Sequence, residues 1–142
     1  MSLAALRKRA QAAVARVGEG FTEPDDDWAP VLFAQDGKGE LTVVGFPVLD
    51  DRDATVAILR TTLHKVGAVR YALVLSSWAA TSDYVPPSEN PERREVLTLL
   101  LSDPETDDFY LAPILRREDA PPRLGEWERL SVYEGRFAGL LR

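Results

Sequence analysis

Between Val69 and Trp78 the chain reads Val-Arg-Tyr-Ala-Leu-Val-Leu-Ser-Ser-Trp, an almost unbroken apolar run rich in branched and aromatic side chains. It is far shorter than the ~20 residues that cross a bilayer. A run of this kind suits a central β-strand covered on both faces. Such a strand needs neighbours in a sheet and material above and below it, and the rest of the chain is read for what could supply them.

Leu3, Leu6, Ala10, Ala13, Val14 and Val17 fall on one helical stripe, with Ser2 as N-cap and Gly18 at the stop. A second stripe, Val56, Leu59, Leu63 and Val66, follows the carboxylates Asp50, Asp51 and Asp53, which suit the positive end of a helix, and it stops at Gly67. Residues 18–30 mix Gly, Pro and the acidic run Asp25-Asp26-Asp27, and read as a loop. Val31 to Ala34 and Leu41 to Val48 flank a polar Asp36-Gly37 turn, which predicts a hairpin. Glu95 to Leu101 and Phe109 to Leu115 flank the turn-rich 103–108 segment, and a second hairpin explains them better than a helix. Ser131 to Glu134 has capping-box spacing ahead of Phe137, Leu140 and Leu141, predicting a short closing helix. The expected order is α-β-β-α-β-β-β-α: one α+β domain with a mixed, mostly antiparallel sheet of about five strands, and helices covering one face. Pro113 points to Phe109–Leu115 as an edge strand.

At 142 residues, with 45% hydrophobic and 28% charged residues, the chain matches an ordinary globular domain, which hides roughly 68–70% of its unfolded surface. Cysteine is absent, which removes disulfides, thiolate metal sites and cysteine nucleophiles together. Arg7, Lys8, Arg9 and Arg16 interrupt the first 17 residues, so no signal peptide is expected and the location is expected to be cytoplasmic. A net charge of −6 argues against broad nucleic-acid binding. No membrane partner and no cofactor are expected.

His64 is the single histidine, so a histidine-rich metal site is impossible, and its place near a helix end suits a capping or surface role. The acidic runs 25–27 and 103–108 lack EF-hand spacing and read as solvated turns rather than metal sites. Ser76 and Ser77 end the central strand but lie in no G-x-S-x-G elbow. Gly37-Lys38-Gly39 does not open a helix and is no phosphate loop. More suggestive is the grouping of Trp78, Tyr84, Pro86, Pro87, Ser88, Glu89, Arg93 and Arg94 on either side of one long loop, since aromatic and Arg side chains anchor protein interfaces. The ordinary alternative places Trp78 in the core and pairs Arg93 with Glu92 or Glu95.

Trp78 followed by Pro87-Ser88-Glu89-Asn90-Pro91-Glu92-Arg93-Arg94-Glu95 resembles a loose group of small uncharacterised bacterial and phage-encoded proteins, in which a strand ending in Trp precedes a P-S-E-x-P-x-R-x-E segment. The similarity spans roughly a quarter of the chain and implies no reaction. Asn90 stands where the pattern would have His, which speaks against a metal ligand there. The expectation is therefore a non-catalytic interaction or regulatory domain whose surface comprises Trp78, Tyr84, Glu89, Arg93 and Arg94. Its partner would be another protein or a second copy, with any homodimer formed through the 78–95 side chains. The rival expectation is a hydrolase using carboxylates such as Asp25 or Glu95, with or without a divalent ion.

Overall fold

The computed structural model describes residues 2–79, 94–130 and 137–142. They form two helices and seven strands: α1 (Leu3–Glu19), β1 (Val31–Asp36), β2 (Leu41–Gly45), α2 (Arg52–Val66), β3 (Ala68–Ala79), β4 (Arg94–Ser102), β5 (Asp107–Leu115), β6 (Arg123–Leu124) and β7 (Glu128–Leu130). The strands make one sheet in the order β2-β1-β3-β4-β5-β6, with β7 also paired to β5. Every pairing among them is antiparallel. The α+β class and the two hairpins stand as the sequence indicated. The sheet is larger than five strands, and no parallel pair mixes into it.

The run around Val69 is the central strand. β3 pairs with β1 on one side and β4 on the other, and Tyr71, Ala72, Leu73 and Val74 are at most 2% exposed. Its alternation sends Ala72 and Val74 to one layer and Tyr71 and Leu73 to the other. α1 covers the first layer through Leu6, Ala10 and Val14, and α2 covers the second through Leu59 and Leu63. The two helices therefore lie on opposite faces, not on one. A sheet whose central strands are apolar on both sides leaves no other arrangement that keeps water off both.

Both helix starts follow from their caps: the Ser2 hydroxyl accepts from Ala5 N, and the Asp51 carboxylate accepts from Asp53 N and Ala54 N. Gly67 closes α2 in the left-handed region at φ +67°, which an L side chain adopts at a cost. α1 runs past Gly18 to Glu19. Gly18 serves packing instead of termination, because a Cβ there would lie 3.0 Å from the Trp28 ring. Trp28 is 4% exposed and its indole N–H donates to Val14 O at 2.9 Å, so the loop expected at 18–30 carries a core residue.

Several expectations need correction. β2 ends at Gly45, short of Val48, because Pro47 cannot continue a ladder. β5 is not an edge: β7 pairs with Phe109–Leu111 and β6 with Ile114–Leu115. Residues 137–141 form turns with Gly139 at φ +66°, not a helix; the capping-box residues 131–134 lie outside the described residues. No helix among the described residues is long and apolar enough to cross a membrane.

Candidate functional site

Of the five residues singled out for an interaction surface, Trp78 and Arg94 are described; Tyr84, Glu89 and Arg93 lie outside the described residues. Trp78 stands at the end of β3 opposite Glu95, and Ala79 is opposite Arg94. Trp78 is 43% exposed and so is not the core residue of the alternative reading. Strand alternation sets Trp78 and Glu95 on the α1 side of the sheet and Arg94 on the other. Arg94 reaches Glu128 at 4.0 Å, and both side chains are mostly exposed, a geometry worth little.

On the α1 side, Arg116 gathers the surroundings of Glu95. Its Nε and one terminal nitrogen donate to the two Glu95 carboxylate oxygens at 2.6 and 3.1 Å, a forked pair. The other terminal nitrogen donates to the carbonyls of Asp26 and Pro24 at 3.0 and 3.2 Å. Asp27 lies 3.5 Å away and accepts from the Ser76 hydroxyl and from Trp28 N. The hydrogen bonds it donates to Glu95, and then the nearby carboxylates, hold the Arg116 guanidinium above its already high pKa. Asp26 accepts from Thr22 N and Glu23 N, which lowers its pKa. Thus one guanidinium ties the 22–28 loop to the start of β4 and the end of β5, Asp27 ties it to β3 through Ser76, and the carboxylate of Glu95 is committed to Arg116.

On the other side a cleft of about 660 Å³ opens between the start of α2 and the sheet. Its floor is Leu75, Val96 and Leu111; Thr98, Ser77 and Arg52 add polar groups. Val48, Leu49 and Trp78 border it and are 54, 40 and 43% exposed. Sequence reading placed Val48 inside a strand and passed over Leu49; the signal available was Pro47, which forces the chain off the sheet there. Thr55 fixes this crossover: it is fully buried, and its hydroxyl accepts from Leu49 N.

The other flagged residues are dispersed. His64 is exposed in the last turn of α2. Asp103 accepts from Glu105 N and Thr106 N, bonds that lower its pKa. Asp36 accepts from Lys38 N and Glu40 N, so the Gly37–Gly39 segment is a tight hairpin turn. Among the described residues no three His, Cys, Asp or Glu side chains are grouped to hold a metal ion. Comparison with protein-family models, with curated proteins and with solved structures finds no match to the chain.

Proposed function

We propose that this chain is a non-catalytic protein-interaction or regulatory domain that binds a protein partner near the Ala79 and Arg94 end of the β3–β4 pair. The carrying observation is the pair of exposed apolar side chains, Val48 and Leu49, at a cleft of about 660 Å³ that Trp78, itself exposed, lines at the end of β3. Large apolar groups gathered at one spot mark interaction sites, whereas single exposed ones are ordinary. The anatomy also fits: apolar groups form the floor, and the charged Arg94 and Glu128 lie next to its Val96 and Leu111 on the same face of the sheet. Aromatic anchors supply most of the binding energy at such surfaces.

The test is affinity capture from a lysate of the source cells with the wild-type chain, Trp78→Ala and Leu49→Glu, each checked for native circular dichroism. The reading expects a partner held by the wild type and lost by at least about tenfold in either variant, the effect of a contact worth about 1.4 kcal/mol. The same proteins retained equally by all three would contradict it.

A further inference from the structure

β2 is an outermost strand of the sheet, and its hydrogen bonds reveal which of its groups are unused. Asp36 N donates to Glu40 O at 3.0 Å and Phe46 N to Pro30 O at 3.4 Å. Because strand residues direct their N–H and C=O alternately to either side, 40, 42, 44 and 46 face β1. Leu41, Val43 and Gly45 direct theirs outward, where no strand lies among the described residues. The strand itself, Leu-Thr-Val-Val-Gly, carries no charge and no proline, the usual guards of an edge. Val43 and Val44 are 54 and 37% exposed.

We propose that β2 pairs antiparallel with β2 of a second copy about a two-fold axis at Val43, joining two sheets into one. The five residues are their own complement in this register. Val43 opposes Val43, and Leu41 opposes Gly45, so all three outward-facing residues fall into hydrogen-bonded pairs and every outward N–H and C=O is satisfied. Shifting the axis to Thr42 or Val44 leaves one of the three unpaired. The bulkiest side chain meets the residue with none, and Thr42 meets Val44 on the opposite face. With no charge in the ladder, no like charges are brought into register despite the net −6. A hollow of about 290 Å³ between α1 and β2, bordered by Ala13, Val17 and Val43, extends the contact. An axis perpendicular to the sheet puts α1 of both copies on the same side, so Val17, 51% exposed, joins the same apolar strip.

This surface is separate from the Trp78 face and can fail without it. The chain has no cysteine, so single introduced thiols report position. Sedimentation equilibrium on the full chain is expected to give twice the chain mass for the wild type and for Trp78→Ala. Val43→Lys, which opposes two cations, is expected to weaken the dimer at least about a hundredfold. Oxidised Val43→Cys is expected to form an interchain disulfide, since hydrogen-bonded partners lie about 5.5 Å apart between Cα atoms, within disulfide reach; Lys38→Cys is not. If Val43→Lys fails to fold, the cysteine pair decides. A wild-type monomer at high concentration, a dimer abolished by Trp78→Ala, or a dimer in which Val43→Cys does not cross-link would each overturn the proposal.

Discussion

The phenol of Tyr71 sits at the centre of the α2-side core, fully buried, yet it is the polar hub of that layer. It donates to Phe137 O and accepts from Leu140 N at 3.1 Å, pinning the C-terminal turn beneath the sheet. Burial pushes its pKa up, so the donor stays protonated. Tyr71→Phe removes both bonds while preserving the ring and leaves two backbone groups unpaired, a loss of about 1–3 kcal/mol. A fall of that size in urea-unfolding free energy is the expected result, and an unchanged midpoint would contradict it. Asp26 and Asp103 make the opposite case in pH. Each accepts two backbone N–H bonds and has a folded pKa below its unfolded value of about 3.9. Their stabilisation is therefore complete above the unfolded pKa and is lost as pH falls through the folded one. Asp26→Asn and Asp103→Asn are expected to flatten the acid limb of the stability profile below about pH 4 and to leave the limb above pH 7 unmoved. Local chemistry of this kind was legible in the sequence, because Asp followed or preceded by turn residues is a capping signal. The Tyr71 hub was not, since its partners lie 66 and 69 positions away.

At the scale of elements, Pro113 explains both what the sequence suggested and why it misled. Its carbonyl accepts from Gly125 N at 2.8 Å, on the side away from β4. The ring nitrogen of a strand residue faces the same way as its carbonyl, so the missing donor also points outward. The outer ladder is broken at this spot: β7 stops at Leu111 and β6 resumes at Ile114. Proline is tolerated because no donor is needed, which is the physics of an edge even though β5 has partners on both sides. Two-residue and three-residue strands give too little periodicity to be seen in a sequence, so the covering of β5 was not legible. Gly125 is the price of the close approach, as an added Cβ would lie 2.5 Å from Pro113 Cγ. Gly125→Ala is expected to cost about 1–3 kcal/mol through overpacking. In a double-mutant cycle with Pro113→Ala, the clash is expected to disappear as a coupling of at least about 0.5 kcal/mol; additive effects would refute the contact. Helices α1 and α2 and the two hairpins, by contrast, carried caps, turn residues and periodicity long enough to read.

For the whole molecule, the decisive property is a sheet that is apolar on both sides and shielded by one helix on each. α2 packs over β1 and β3, and among the described residues the cleft of about 660 Å³ lies between its start and the sheet. The sequence singled out Trp78, which is exposed at the end of β3, but Val48 and Leu49 reach the cleft through a crossover that only the tertiary structure defines. Two surfaces result: an unguarded strand edge at β2 and an apolar rim around Trp78, at separate places on the fold. Binding of a different protein is proposed at the second. Its most direct test is a random peptide library selected on the full chain, followed by titration of an enriched peptide into wild type, Val43→Lys and Trp78→Ala. The account predicts equal affinity for wild type and Val43→Lys and a dissociation constant at least about tenfold weaker for Trp78→Ala. Enriched peptides that bind Trp78→Ala as tightly as the wild type would contradict it.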